Sequence, residues 1–224
     1  IKIGITGQSG FVGKHLSNNI RFINSNYSLV DFEDSWFENT KRLDSFVQEC
    51  DIIIHLSGVN RNESEKYIYD RNIELSNILI SSLKKSTTKT HLLFSSSIQE
   101  DQDNLYGKSK KICRENFSEW ANSTKNNFTG LLIPNLYGPF GKPNYNSVVA
   151  TFCSKLINNE SPEILIDKKI KLLYVQDLCN KIIDIIDKKI DNHKMQLSFG
   201  KEIKVSEILE LLNNFKINYF DNGI

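Results

Sequence analysis

The opening of the chain constrains its fold more than any other feature. A short apolar run, Ile1–Thr6, leads directly into the glycine-rich stretch GQSGFVG at residues 7–13. Glycine permits a tight turn at Gly7, a close backbone approach at Gly10 and close packing of helix on strand at Gly13. The helix that follows offers free N–H groups and the positive end of its dipole to phosphate. The pattern therefore predicts a dinucleotide-binding turn, with a purely structural glycine turn as the alternative.

The rest of the chain alternates short apolar runs with longer segments of helical periodicity. This alternation is typical of a parallel sheet with right-handed crossovers and helices on both faces. The predicted strands are Ile1–Thr6, Tyr27–Phe32, Asp51–Leu56, His91–Ser96 and Phe128–Ile133. The predicted helices between them are Phe11–Phe22, Phe37–Glu49, Ser64–Lys84 and Leu105–Ser123. The expected fold class is α/β, a Rossmann-type doubly wound parallel sheet with a small C-terminal substrate-binding lobe.

The pattern changes after Pro134, where prolines and glycines up to Pro143 mark a long loop. Loops at the carboxyl ends of parallel strands usually hold ligand. We expect residues 1–135 to form the NAD(P)-binding Rossmann domain and residues 136–224 to form the lobe, with segments that return to the Rossmann core. The elements predicted for the lobe are helices at Ser147–Asn158, Asp177–Lys188 and Ser206–Phe215 and strands at Ile164–Ile166, Lys171–Tyr174 and Met195–Phe199.

Composition argues against several classes of partner. The 224 residues carry 28 basic and 27 acidic side chains, a net charge of +1, with no long basic run. Nucleic acid and anionic membrane surfaces are therefore not expected as partners. No apolar stretch approaches the roughly 20 residues of a spanning helix, and no signal peptide is evident, so we expect a cytoplasmic protein. The four cysteines and four histidines are dispersed, which predicts reduced thiols and no metal site.

Tyr106 and Lys110 form the strongest candidate for chemistry. On a helix, residues four apart share a face. An ammonium group lowers the pKa of a nearby phenol, so Tyr106 is a candidate general acid or base for a carbonyl or alcohol oxygen, and Lys110 could also bind the nicotinamide ribose. A hydroxyl from the serine run at residues 95–97, at the end of the preceding strand, could bond the same oxygen. Without that strand-end serine, an ordinary surface pair would explain the Tyr–Lys spacing.

The end of the second predicted strand bears on the choice of cofactor. Asp31 stands where an acidic residue would hydrogen-bond the adenosine ribose. Glu33 and Asp34 follow, and no Lys or Arg is close in sequence to bind a 2′-phosphate. This end of the strand favours NAD(H), with an exposed carboxylate of no special role as the alternative.

Together these motifs resemble the extended branch of the short-chain dehydrogenase/reductase superfamily. A closer resemblance is to the capsular-polysaccharide and O-antigen reductases of the UDP-N-acetyl-L-fucosamine pathway. The segments that carry it are Gly58–Arg61, Ser95–Gln99, Gln102–Gly107 and Lys142–Cys153. The resemblance extends from Ile3 to about Phe215.

The resemblance implies a reaction and a set of contacts. Such bacterial enzymes reduce the C4 ketone of a UDP-2-acetamido-2,6-dideoxy-L-hexos-4-ulose with NADPH, and Tyr106 would protonate the oxygen. Alignment of the strand end with the extended enzymes implies Ser97 as the first choice for the assisting hydroxyl and Ser96 as the second. NADP(H) is thus implied as the cofactor, while the acidic second strand end leaves NAD(H) open. The implied cofactor contacts are Gly7, Gly10, Phe11, Val12, Gly13, Asp31, Leu56, Ser57, Gly58, Asn72, Lys110, Pro134 and Leu136. The implied contacts to the UDP-sugar substrate are Asn60, Arg61, Gln99, Asn135, Lys142, Asn144, Tyr145 and Asn146.

Other interpretations stay open. Relatives of this type often continue into a metal-binding cupin domain that epimerises C3, and we expect no such activity from these residues. A NAD-dependent nucleotide-sugar 4-epimerase and a non-catalytic cofactor-binding scaffold are the competing functions. A 4,6-dehydratase is disfavoured, because Ile98 and Gln99 stand where its Asp–Glu pair would be. By analogy of fold, the helices at Ser64–Lys84 and Leu105–Ser123 would form a homodimer.

Overall fold

The structure is a computed structural model that describes residues 1–23, 26–198, 200 and 202–223. Its strands are β1 Lys2–Thr6, β2 Ser28–Val30, β3 Ile52–His55, β4 His91–Ser97, β5 Phe128–Ile133, β6 Asn135–Tyr137, β7 Lys169–Tyr174, β8 Asn192–Gln196 and β9 Glu202–Lys204. Its α-helices are α1 Phe11–Ile23, α2 Thr40–Glu49, α3 Glu65–Lys85, α4 Leu105–Thr124, α5 Val148–Ile157, α6 Val175–Asp187 and α7 Val205–Phe215. Short helical turns occupy Asp34–Glu38, Ile98–Asp101 and Lys216–Asp221.

A six-stranded sheet in the order β2-β1-β3-β4-β5-β8 forms the centre of the fold. All of its strand pairs are parallel. The chain moves outward from β1 to β2 and then returns past β1 to β3, so right-handed crossovers place α1 and α2 on opposite faces. Both faces are covered, which explains why the central strands are apolar without alternation. The predicted α/β Rossmann-type fold is therefore confirmed.

The face covered by α2, α3 and α4 carries an aromatic core. Its largest members are Phe46, Phe94, Phe117, Trp120 and Phe128, each no more than 2% exposed. Because side chains on a strand alternate between the two faces of a sheet, only every second strand residue contributes to this core. Burial of these rings removes large apolar areas from water, and this fixes the strands whose carboxyl ends carry the candidate site.

The chain divides into two compact units. The first consists of Ile1–Ile133 and Cys179–Leu197, and the second of Pro134–Leu178 and Ser198–Ile224. The first unit contains the six-stranded sheet. The second contains a small sheet in the order β6-β7-β9, whose core is built on Phe152, Val205 and Ile208. The role of the second unit as a substrate-binding lobe stays a prediction.

Several predicted elements need correction. Ile164–Ile166 is not a strand, and its apolar side chains are largely exposed, Leu165 by 85% and Ile166 by 71%. The strand predicted at Met195–Phe199 is Asn192–Gln196, and it pairs with β5 in the large sheet instead of the lobe. Phe199 lies outside the described residues. β6 and β9 were not predicted, because strands of three residues within loop-like sequence carry too little periodicity.

Candidate active site

The end of β4 and the start of α4 bring the predicted catalytic side chains together. β4 ends at Ser97, a helical turn follows at Ile98–Asp101, and α4 begins at Leu105. The side chain of Asn104 caps α4 by accepting a hydrogen bond from the backbone N–H of Gly107 at 2.7 Å. This cap fixes where the helix starts and therefore where Tyr106 lies in its first turn.

The hydroxyl group of Ser97 lies near enough to the phenol of Tyr106 to lower the pKa of that phenol. Ser97 Oγ also accepts the backbone N–H of Gln99 at 3.2 Å, which orients the serine. Ser96 behaves differently, because its hydroxyl is buried and donates to the carboxylate of Glu100. Of the two serines, only Ser97 is placed to share an oxygen with Tyr106.

The structure gives the phenol of Tyr106 a different acidity from the one expected. Burial raises the pKa of Tyr106 to about 12, and the hydrogen bond from Ser97 lowers it by a smaller amount. The lowering of the phenol pKa expected from Lys110 is therefore wrong, because removal of the phenolate from water dominates and raises that pKa. Tyr106 therefore holds its proton at neutral pH, which suits a group that donates a proton to a substrate oxygen.

Lys110 is buried beside Tyr106, with 6% of its surface exposed. Its Nζ donates to the carbonyl oxygen of Ser95 at 2.9 Å and lies 4.9 Å from the ring centre of Phe94 and 5.9 Å from that of Tyr106. Burial lowers the pKa of Lys110 to about 8, opposed by the charges of Cys113 and Glu100. The ammonium group is thus held under the strand end by a backbone carbonyl and two aromatic faces.

Asn72 braces the loop after β3 against α4. It is buried, its Oδ1 accepts the N–H of Val59 at 2.7 Å, and its Nδ2 donates to Val59 O at 2.9 Å and Ser109 Oγ at 3.1 Å. A Cβ on the neighbouring Gly58 would lie 3.0 Å from Asn72 Oδ1 and 3.4 Å from Lys110 Nζ. Glycine at 58 therefore lets this loop approach the ammonium group closely.

The glycine turn has the geometry that a dinucleotide requires. Gly7 adopts φ +73°, and its carbonyl oxygen accepts a hydrogen bond from the backbone N–H of Gly10 at 3.0 Å. A Cβ on Gly13 would lie 2.3 Å from Gly7 O, and one on Gly7 would lie 2.8 Å from Ser57 N. Gly10 is exposed at the N-terminus of α1. The backbone N–H groups of this first helical turn have no acceptor within the helix, so they can bind a diphosphate.

The other predicted cofactor residues of the first unit surround this turn. Asp31 is exposed directly after β2. Gln8 donates its side-chain amide to Phe32 O, which ties the glycine turn to that strand end. His55 is buried against Thr6 at 2.7 Å and stacks on Phe94. Burial lowers the pKa of His55 to about 3, so it is a neutral structural residue. The remaining members at this edge are Phe11, Val12, Leu56 and Ser57, all partly buried.

The predicted substrate contacts fall in both units. Gln99, Asn60 and Arg61 belong to the first, and the last two are exposed. In the second unit, Asn135 and Asn146 line one cavity of about 200 Å³, with Lys168 among its other walls.

The remaining predicted contacts of the second unit are close in sequence to Asn135 and Asn146. Lys142 Nζ stands 5.3 Å from the ring centre of Tyr145. Asn144 has φ +54° and donates its N–H to Thr151 Oγ1 at 2.9 Å. Pro134 is buried and Leu136 lines the same cavity as Asn135.

Sequence reasoning missed two residues below the site. Glu100 and Arg114 form a buried ion pair next to Ser96. The spacing of Arg114, one turn beyond Lys110 on the same helix face, was the available signal. Glu100 had no comparable signal, because its partner is brought to it by tertiary structure.

The part of the chain that the structure describes contains neither a candidate metal site nor a helix that could cross a membrane. Within residues 1–23, 26–198, 200 and 202–223, no cluster of three or more His, Cys, Asp or Glu side chains could hold a metal ion. In the same residues no helix combines the length and apolar character needed to cross a membrane. All four cysteines are free thiols.

A parallel Rossmann sheet, a glycine turn and a Ser–Tyr–Lys group at one strand end define a class of nicotinamide-dependent proteins. Residues 3–197 match the family model of the NAD dependent epimerase/dehydratase family, and the chain belongs to that family.

Among individual relatives, a UDP-2-acetamido-2,6-beta-L-arabino-hexul-4-ose reductase from Pseudomonas aeruginosa is 31% identical over 96% of this chain. This chain spans 58% of that curated relative. The crystal structure of the capsular polysaccharide assembling protein CapF from Staphylococcus aureus is 32% identical, with a TM-score of 0.84 over 99% of this chain and 59% of that one.

More distant solved structures share the fold. RMD from Pseudomonas aeruginosa, solved with NADPH, has a TM-score of 0.83 at 21% identity, over 96% of this chain and 82% of that one. The UDP-glucose 4-epimerase of Thermotoga maritima has a TM-score of 0.81 at 18% identity, over 96% of this chain and 82% of that one. At these identities the likeness concerns architecture alone.

Proposed function

We propose that this chain reduces the C4 ketone of a UDP-2-acetamido-2,6-dideoxy-L-hexos-4-ulose, using NADH or NADPH, in the synthesis of a bacterial surface polysaccharide. The observation that carries the proposal is the grouping of Ser97, Tyr106 and buried Lys110 at the end of β4, with Lys110 Nζ 5.9 Å from the ring centre of Tyr106. The similarity to the Pseudomonas aeruginosa 4-ketosugar reductase supports the choice of substrate class.

Each group has a defined task in this reaction. A bound reduced nicotinamide supplies the hydride that adds to C4. Tyr106 donates its phenolic proton to the ketone oxygen, so that the carbonyl becomes an alcohol. Ser97 donates a hydrogen bond to that oxygen as negative charge develops. Lys110 stabilises the phenolate left on Tyr106 until it is reprotonated.

The second unit supports the assignment of a nucleotide sugar. Asn135 and Asn146 present amides to the cavity of about 200 Å³, and Lys168 adds a cation to its wall. We propose that this cavity receives part of the UDP-sugar, because amides and a cation suit a uracil ring and a diphosphate.

We also propose that two copies of this chain associate as a homodimer. Tyr69, Ile73 and Ile78 line a surface groove of about 530 Å³ along α3. Half-buried apolar side chains along a helix are typical of a surface that another protein covers. We propose that α3, with α4 beside it, packs against the same helices of a second copy.

The test is to mix the protein with UDP-2-acetamido-2,6-dideoxy-L-arabino-hexos-4-ulose and follow the loss of reduced nicotinamide absorbance. Tyr106→Phe removes the proton donor, and we expect it to lower kcat by about 10²- to 10⁴-fold. Tyr67→Phe removes the same hydroxyl at an exposed position of α3, so it is the matched control and should leave kcat unaltered. Equal turnover by Tyr106→Phe and the control would contradict the mechanism. Tightly bound NAD in the purified protein without net reduction would favour a 4-epimerase instead.

A further inference from the structure

Glu100 and Arg114 form an ion pair that is almost sealed from water. The side chain of Glu100 is 0% exposed and that of Arg114 is 8% exposed. Arg114 Nε donates to both carboxylate oxygens, at 2.9 and 3.0 Å. Burial of two charges is costly and is offset only when geometry is good and further hydrogen bonds satisfy both groups.

Those further bonds connect four separate elements of the fold. Ser96, in the last part of β4, donates its hydroxyl to Glu100. Glu100 itself lies in the turn Ile98–Asp101 that follows the strand. Arg114 belongs to α4, and its Nη1 donates to His193 O on β8 at 3.3 Å. The pair therefore joins the strand end, the turn, the helix and the edge strand at one point.

The sheet is shaped to admit the arginine. Gly130 on β5 has no side chain, and a Cβ there would lie 2.8 Å from Arg114 Cγ and Cδ and 2.6 Å from His193 O. The register between β5 and β8 shifts between Thr129 and Leu131, around this glycine. The guanidinium group thus reaches Glu100 through a gap that any larger residue at 130 would close.

The groups that this pair joins also carry the candidate catalytic side chains. Ser96 is adjacent to Ser97, while Arg114 follows Lys110 by one helical turn and Tyr106 by two, on the same face. The turn that holds Glu100 also contacts the first part of α4, since a Cβ on Gly107 would lie only 2.0 Å from Gln99 O. A change in the pair would move the serine relative to the tyrosine.

We propose that Glu100 and Arg114 are positioning residues that hold the Ser97 hydroxyl in register with Tyr106 and Lys110. This role rests on the proposed ketone reduction, because it is defined by that reaction's proton donor. Both residues act through Ser96, the turn Ile98–Asp101 and α4, and the proposal assigns neither a contact with the ketone oxygen. Glu100 has a second effect, since its negative charge favours the ammonium form of Lys110 and opposes the effect of burial on the pKa of that lysine.

The kinetic test uses single variants and a double variant of the full chain. Glu100→Gln and Arg114→Met each leave one buried charge unpaired, and we expect Tm to fall by about 10 °C. The double variant Glu100→Gln/Arg114→Met has no unpaired charge, so its Tm should recover relative to either single variant. Its kcat should nevertheless stay about 10- to 100-fold below that of the wild type, with little change in KM for the nicotinamide, because the strand end is no longer tied to α4.

Two further variants sharpen that test. Arg114→Lys keeps the positive charge but places it on a single ammonium group. Its kcat should therefore lie between that of Arg114→Met and that of the wild type. Lys85→Met breaks an exposed ion pair with Asp44 and should leave kcat unchanged. A double variant that is folded and has wild-type kcat would overturn the positioning role. A wild type with no turnover would instead overturn the proposed function.

A second measurement does not depend on turnover. Lysine labelled with ¹³C at Cε reports the pKa of Lys110 by NMR, with the resonance assigned by its loss in Lys110→Met. The groups that face Lys110 are Glu100, Cys113, Tyr106 and His55. Of these groups, Glu100→Gln changes only Glu100. Loss of its negative charge should lower the pKa of Lys110 further. An unchanged titration of Lys110 would overturn the effect of Glu100 on it.

Discussion

At the scale of the residue, Gly107 shows how one missing side chain sets the site. Alanine in a helix interior normally stabilises a protein by about 1 kcal/mol relative to glycine. Here a Cβ would lie 2.0 Å from Gln99 O, a backbone atom that can move only with the whole turn. We expect Gly107→Ala to destabilise the fold by about 1–3 kcal/mol and to lower kcat, as measured by denaturant unfolding and turnover. Gly200→Ala, with nothing within 4 Å, is the control and should be neutral.

Lys110 gives a second prediction at this scale, in the pH dependence of stability. Burial lowers its pKa from 10.5 to about 8. Between these values the unfolded chain binds more protons than the folded one, so the free energy of unfolding rises with pH. Below pH 8 the charged lysine is buried at full cost. We therefore expect Lys110→Met to raise Tm at pH 7, by about 5 °C, and this advantage to shrink as pH approaches 10.5.

The control for Lys110→Met is the same substitution at the neighbouring lysine. Lys111 is exposed on the same helix, so the difference in Tm between Lys111→Met and the wild type should stay small throughout. A Lys110→Met variant that is less stable than the wild type at pH 7 would mean that the bond to Ser95 O outweighs the cost of burial.

At the scale of the element, the strand–turn–helix–strand unit from β1 to β2 bears on the choice between NADH and NADPH. Asp31 follows β2, and residues 26–40 contain acidic side chains but neither Lys nor Arg. A 2′-phosphate placed there would meet like charge, which costs affinity. We expect kcat/KM to be at least about tenfold higher with NADH than with NADPH.

A variant of that strand end checks the cause. Asp31→Ser should reduce the preference for NADH, while Asp51→Ser, an exposed carboxylate just before β3, should leave the preference as it is. A wild type that prefers NADPH would show that the acidic end of β2 does not face the adenosine ribose.

Elements were also where prediction from sequence succeeded and failed most clearly. The five β-strands of the first 133 residues and the four helices between them were found, because buried parallel strands and amphipathic helices leave strong patterns. Ile164–Ile166 failed for the same reason, since an apolar triplet looks like a strand even when its side chains face solvent. β8 was predicted to begin three residues too late, at Met195 instead of Asn192, and its pairing with β5 depends on a long crossover that no local pattern encodes.

At the scale of the whole molecule, the prediction is self-association. If α3 packs against a second copy, the chain should sediment as a dimer, because a half-buried apolar groove is then covered. Ile73→Glu places a charge in this groove and should yield a monomer, as measured by sedimentation velocity. Lys84→Glu, at the exposed end of the same helix, should remain dimeric. A wild type that is monomeric at micromolar concentration would contradict the arrangement.

The candidate site as a whole was only partly predictable. Tyr106 and Lys110 were predicted from their spacing on a helix and Ser97 from the resemblance to extended short-chain enzymes. The structure brings the three side chains together at the end of β4, and their catalytic roles stay a prediction. The raised pKa of Tyr106 was not predicted, because it depends on how completely tertiary packing removes water from the phenol. The Glu100–Arg114 pair was missed because it is a contact between elements.

The gap at Gly130 has a consequence for anyone who would make this protein more robust. Common practice replaces a glycine in a strand with a β-branched residue, since glycine weakens strands. At this position valine or isoleucine would displace the arginine that passes over the strand. If the Glu100–Arg114 pair positions Ser97 as proposed, a routine stabilising change on this strand, distant in sequence from Tyr106, would lower kcat.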